Sequence, residues 1–156
     1  MQYNLKEIAE VTGAEIFTPG KNTSVSERNI NWLLTDSRSL CFPAETLFFA
    51  LKSQRNDGHK YIKELYYRGV TNFVVDHTDG FEKLEKACFL VVKNTLDALQ
   101  ALACHHRSRF NIPVIAITGS NGKTTVKEWL YQLLSPDYHV CRSPRSYNSQ
   151  VGVPLS

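Results

Sequence analysis

The stretch Ala116–Thr125, AITGSNGKTT, constrains the fold more than any other part of the chain. A β-branched run, VIAIT, leads straight into a glycine turn, and the amphipathic segment TTVKEWLYQLL follows. Strand, glycine loop, helix is the context of a phosphate-binding loop. Gly119 and Gly122 let the backbone aim its N–H groups inward, where side chains would obstruct a phosphate. The helix that follows adds its N-terminal dipole. Lys123 supplies a mobile charge for the β- and γ-phosphates of a nucleotide, and the Thr124 hydroxyl is a ligand for Mg²⁺. The usual pattern would put a glycine at position 117, but Ile117 stands there, which points to a subclass with a tighter loop.

Around this loop, strand and helix signals alternate. Asn4 caps a short helix with Glu7 as its capping-box partner, and Gly13 ends it. AEIFT and INWLLTDSR read as strands, the second running into a turn. TLFFAL, VTNFVVD and ACFLVV are short apolar runs of the kind buried strands show. NDGHKYIKELYYRG reads as a turn and a helix with Ile62, Leu65 and Tyr66 inward. Residues 94–110 read as a helix with Leu96, Leu99, Leu102 and Ala103 as its stripe. The strand expected at 113–118 leads to the loop. The helix after it turns Val126, Trp129, Leu130 and Leu133 to one side, and YHVC reads as a further strand. The fold class is therefore α/β, with largely parallel pairing in the second part. Residues 1–88 are expected to form a small first domain. Residues 89–156 are expected to form a linker helix and the incomplete opening of a P-loop domain.

Composition removes several function classes. Apolar residues make up 42% and charged residues 21%, a globular balance. The formal charge of +3 is spread without a dense basic run, which argues against nucleic acid as a partner. No apolar run is long enough for a membrane span, and the N-terminus lacks the pattern of a signal peptide. Cys41, Cys88, Cys104 and Cys141 are widely spaced and read as free buried thiols, which favours the cytosol. Trp32 and Trp129 read as core. His105 and His106 point to different faces of their helix, so a metal pair there is not expected.

The loop ITGSNGKTT resembles the ATP loop of the Mur ligases, which build the peptide of bacterial peptidoglycan; folylpolyglutamate synthetase carries a similar loop. Earlier in the chain, TDSRSLCFPAETLFFALKSQRNDGHKYI is similar to the UDP-sugar-binding domain of those ligases. Asp36, Ser37 and Arg38, then Pro43, Phe48, Ala50 and Leu51, then Asp57, Gly58 and His59 match its pattern in order. Ala44, Glu45 and Ser53 depart from it. A diphosphate is matched by the hydroxyl of Ser37 and the guanidinium of Arg38, with His59 at a helix start. Other readings of the same residues are a surface ion pair of Arg38 with Asp36 or Asp57, and a capping role for His59. At the end of the chain, SYNSQVGVPLS resembles the stretch found in the family member that adds D-alanyl-D-alanine. Asn148 matches there, or is a turn residue, and Ser149 departs.

The resemblance implies a set of functional residues. Lys123 is the catalytic residue. Gly119, Ser120, Asn121, Gly122, Lys123, Thr124 and Thr125 hold ATP, with Thr124 on Mg²⁺. Asp36, Ser37, Arg38, Asp57, Gly58, His59 and Asn148 hold the UDP-sugar. It further implies a ligase that joins UDP-N-acetylmuramoyl-tripeptide to D-alanyl-D-alanine through an acyl phosphate. The alternatives are the family member that adds the third peptide residue and a non-catalytic module that binds UDP-sugar or nucleotide. The residues after the loop are too few for a full P-loop domain, so this piece is expected to be inactive alone, and to dimerise through exposed core.

Overall fold

The structure is a computed structural model that describes residues 2–20, 25, 28–54, 56–144, 147 and 149–156. It divides into two compact units, one ending at His105 and the other running from His106 to Ser156.

In the first unit a short strand, β1 (Tyr3–Asn4), leads into α1 (Leu5–Thr12). Asn4 caps α1 by accepting from the Lys6 N–H at 2.8 Å, and Gly13 ends it in the left-handed region at φ 63°. Then come β2 (Glu15–Phe17), β3 (Asn29–Ile30), β4 (Trp32–Leu34) and β5 (Thr46–Phe49). Helix α2 (Ile62–Tyr67) connects to β6 (Asn72–Val75), and β7 (Cys88–Val91) precedes α3 (Thr95–Ser108). β1 pairs antiparallel with β3. The other strands make a five-stranded sheet in the order β2-β7-β6-β5-β4. β4, β5, β6 and β7 are mutually parallel, and β2 runs antiparallel against β7 at the edge.

Every residue of β5 and β6 is buried, as expected for parallel strands covered on both faces. One face carries the cluster of Phe48, Phe73, Val75 and Phe89, packed with Ile62 and Leu65 of α2 and with Phe81 and Leu84. The pleat turns Leu47, Phe49, Val74 and Leu90 to the opposite face, and these are buried too. Thr95, Ala98, Leu99 and Leu102 are the buried residues of α3. The stripe is thus rotated from the sequence expectation, with Leu96 and Ala103 only half-buried. The Thr95 hydroxyl explains the rotation, since it donates to the Ala50 carbonyl at 3.2 Å where β5 ends.

The second unit holds α4 (Lys123–Leu134). Neither expected strand forms: residues 111–118 and 138–141 carry no regular secondary structure. A strand exists only by pairing, and among the described residues none pairs with either run. Val114 and Ile115 are accordingly exposed, as are Val126, Trp129 and Leu133 of the α4 face. Parallel pairing is found in the first unit.

Trp129 is therefore not core, and neither is Trp32, which sits half-exposed on edge strand β4 and stacks on Phe42 at 5.1 Å. The thiols also differ from expectation. Only Cys88 is buried, and desolvation pushes its pKa up to about 11; Cys41, Cys104 and Cys141 are free and exposed.

Candidate functional site

The parallel strands β4, β5 and β6 end on the same edge of the sheet, the edge where open α/β sheets place their ligands. Asp36–Arg38 follows β4, the turn at Asp57–His59 is reached from β5, and Asp76 and His77 follow β6 directly. The two motifs the sequence singled out therefore emerge on one edge.

Asp36 opens a short 3-10 turn, Ser37–Ser39, accepting from the Arg38 N–H at 3.0 Å. It also takes a two-pronged bond from the Arg38 guanidinium, Nε to Oδ1 at 2.9 Å and Nη2 to Oδ2 at 2.6 Å. Arg38 is thus paired with Asp36, although its side chain is 87% exposed and open to a further anion. The guanidinium bond, then the backbone N–H, hold the Asp36 carboxyl at a pKa of about 2 against an ordinary 3.8. A depressed carboxylate keeps its favourable interaction above the ordinary value and loses it as pH falls through the folded value. An NMR titration of Asp36 should show a midpoint near 2, and Arg38→Ala should move it up toward 3.8. Ser37 is buried, and its carbonyl accepts from Arg68 Nη1 at 3.0 Å, which ties the turn to the end of α2.

Asp57 opens the second turn, Gly58–Tyr61, accepting from the His59 N–H at 3.0 Å. Gly58 lies against the chain leaving β5: its N–H donates to Leu51 O at 2.9 Å, and an added Cβ would sit 2.8 Å from the Ala50 Cα and carbonyl carbon and from Leu51 N. No side chain fits there without moving backbone. Gly58→Ala should therefore cost about 1–3 kcal/mol in urea unfolding.

His59 is buried, with its Nδ1 2.6 Å from Asp57 Oδ1 and its Nε2 3.3 Å from the Asp76 N–H. An ionised Asp57 puts the proton on Nδ1 and leaves Nε2 as an acceptor. The His59 backbone N–H and then its ring hold the Asp57 carboxyl below its usual pKa. His59 therefore both completes the cap and carries an oriented ring. Its ring stacks on His77 at 4.3 Å, and His77 Nδ1 bonds Asp76 Oδ1. The sequence reading did not single out Asp76 and His77. The available signal was an Asp-His pair directly after the buried run VTNFVV.

The second unit carries the glycine loop by itself. Gly119 has φ 144° and Gly122 φ 76°, backbone states that side chains rarely adopt. Gly122 is the N-cap of α4, which begins at Lys123. The Lys123 ammonium bends back over the loop, donating to Gly119 O at 2.5 Å and reaching Ser120 O at 3.4 Å. A cation held over a glycine turn at a helix start is a donor set that fits a nucleotide phosphate. Ser120, Asn121, Thr124 and Thr125 are exposed around it. Asn148 lies outside the described residues.

Residues 117–156 match the model of the Mur ligase middle domain, a match that begins at Ile117 and contains the whole loop. UDP-N-acetylmuramoyl-tripeptide–D-alanyl-D-alanine ligase of Bacillus subtilis is 32% identical over 97% of this chain. MurF from Acinetobacter baumannii superposes with a TM-score of 0.85 at 28% identity and covers 99% of the chain. The MurF ligase from Thermotoga maritima in complex with ADP gives a TM-score of 0.69 at 30% identity and covers 80% of the chain. The chain spans 32% of the first two proteins and 28% of the third, about a third of their length. Two motifs at the carboxyl edge of one sheet, a lysine held over a glycine turn, and likeness along almost the whole chain lead to one assignment: the chain belongs to the Mur ligase family.

Proposed function

We propose that this chain supplies the UDP-substrate-binding domain and the first part of the ATP-binding domain of a ligase that joins UDP-N-acetylmuramoyl-tripeptide to D-alanyl-D-alanine. The observation that carries this reading is the likeness to the Bacillus subtilis ligase over 97% of the chain, both units included. On this reading the first unit, which runs past the expected boundary at 88 to His105 because β7 is a strand of its sheet, holds the uridine diphosphate end of the substrate. Ser37 and the exposed guanidinium of Arg38 face the diphosphate. Asp57, Gly58 and His59 shape the neighbouring turn, and Asn148 contributes from the C-terminal stretch. Binding energy gathered far from the reacting carboxylate then orients it.

The second unit, from His106, opens the ATP-binding domain. Gly119, Ser120, Asn121, Gly122, Thr124 and Thr125 surround the phosphates. Lys123 leaves the Gly119 carbonyl and turns to the transferred phosphoryl group, where charge develops as the acyl phosphate forms. Thr124 would hold Mg²⁺, which supplies charge neutralisation when bound. Val126, Trp129 and Leu133 are then the face that the rest of this domain covers. Self-association through that face is the expected behaviour of this chain, and sedimentation that stays monomeric at high concentration contradicts it. The work is cytosolic.

The test is phosphate release by the complete protein. Release that requires ATP, UDP-N-acetylmuramoyl-tripeptide and D-alanyl-D-alanine together supports the reading. Release supported by a free diamino acid with the UDP-dipeptide instead would assign the third-residue ligase.

A further inference from the structure

Three groups at the carboxyl edge of the sheet converge in a way that substrate binding does not require. One ligand atom each from His59, Asp76 and His77 lies within 4.8 Å of the other two. His59 Nε2 is 3.2 Å from Asp76 Oδ1, and His77 Nδ1 bonds the same oxygen. Two ligand atoms bound tetrahedrally at ~2.0–2.1 Å from a zinc-sized ion stand about 3.3 Å apart, close to the first of these separations. We propose that His59, Asp76 and His77 form a site for a divalent transition-metal ion of the zinc class.

The surroundings support the assignment. Asp57 accepts from His59 Nδ1 at 2.6 Å, which fixes the tautomer with the Nε2 lone pair as acceptor; that lone pair takes the Asp76 N–H at 3.3 Å here, and a metal ion would displace this bond. A carboxylate behind a histidine ligand is the usual outer-shell arrangement of metal sites, where it raises ligand basicity. The His59 side chain is 6% exposed and cannot turn away, whereas Asp76 is 27% and His77 40% exposed. The set therefore has a rigid inner ligand and an open outer side. His77 closes it by rotating its ring off the stack with His59. Two imidazoles and one carboxylate suit Zn²⁺, Co²⁺ or Ni²⁺ better than Mg²⁺ or Ca²⁺, which take oxygen ligands. Three protein ligands leave a fourth position for water or an anionic oxygen. The site lies within the first unit and involves neither the glycine loop nor ATP.

The inference stands apart from the ligase reading, and its test uses no ligase substrate. Cys41, Cys104 and Cys141 are exposed and would bind zinc adventitiously, so the protein is first alkylated. Equilibrium dialysis with Zn²⁺ then counts bound metal, and the visible spectrum of Co²⁺ reports ligand type. The expected result is one saturable equivalent and a cobalt spectrum of nitrogen and oxygen ligation. His77→Ala, at a half-buried position and checked for an unchanged unfolding midpoint, should weaken binding at least tenfold. Asp57→Asn should weaken it ~10–100-fold through its effect on His59. Absence of a saturable equivalent overturns the proposal, as does an equivalent whose affinity His77→Ala leaves unchanged.

Discussion

Lys123→Ala in the complete protein should lower the rate of ATP-dependent ligation by about 10²–10³, with the affinity for UDP-N-acetylmuramoyl-tripeptide unchanged. The separation of effects follows from where the residue stands. Lys123 belongs to the second unit and, among the described residues, reaches the loop carbonyls of Gly119 and Ser120. The two motifs assigned to the UDP-sugar lie in the first unit, on the edge of its sheet. Removal of the ammonium takes away a charge needed most as the phosphoryl group moves, so the loss falls on the chemical step. Lys123→Arg should restore little, because a planar guanidinium does not reproduce a compact ammonium in a tight loop. Steady-state kinetics and substrate binding measured side by side read both parts. A Lys123→Ala enzyme that ligates at the parent rate would remove this residue from the mechanism.

The second large effect is structural. Phe89→Ala should destabilise the first unit by about 3–5 kcal/mol. Phe89 is fully buried on β7 and stacks on Phe73 at 5.4 Å and Phe81 at 5.5 Å, with Phe17 at 6.2 Å. Loss of the ring removes the centre of that aromatic row and leaves a cavity beside strands held on both sides. A domain of this size is stable by about 5–15 kcal/mol, so the variant should unfold at a far lower urea concentration with an unchanged slope. Tyr67→Ala is the control, because that side chain is 83% exposed; its expected change is within about 0.5 kcal/mol.

Much of the first unit was legible because its signals are local. Asn4 and Gly13 bracket α1 by capping chemistry that needs no distant partner. The runs TLFFAL, VTNFVVD and ACFLVV are rich in apolar residues without a polar alternation because their strands are buried on both faces. Strand order was less accessible: nothing in AEIFT says that β2 will run antiparallel on the far edge beside β7. The apolar run at 113–118 shows the opposite limit. Its composition is that of a strand, yet composition supplies no hydrogen-bond partner, and the run stays unpaired among the described residues. Trp32 was misread for a related reason, since an edge strand leaves a large side chain exposed beside Phe42.

For the sites, the glycine loop and the two acidic turns were visible as motifs, because each sits on a short continuous stretch. Their geometry was not. Asp36 takes up the Arg38 fork, one of the two readings left open from the sequence. The partner of His59 lies 17 residues on, at Asp76, and only the adjacency of β5 and β6 brings them together. Spacing along the chain carries no trace of that contact.

The central claim is that the first unit holds a UDP-sugar peptide. Calorimetric titration of this chain with UDP-N-acetylmuramoyl-tripeptide tests it most directly, with UDP and Mg-ATP titrated separately. The account predicts saturable binding of the UDP-peptide, weaker binding of UDP and little heat from ATP. Clear ATP binding with no heat from either uridine ligand would contradict it.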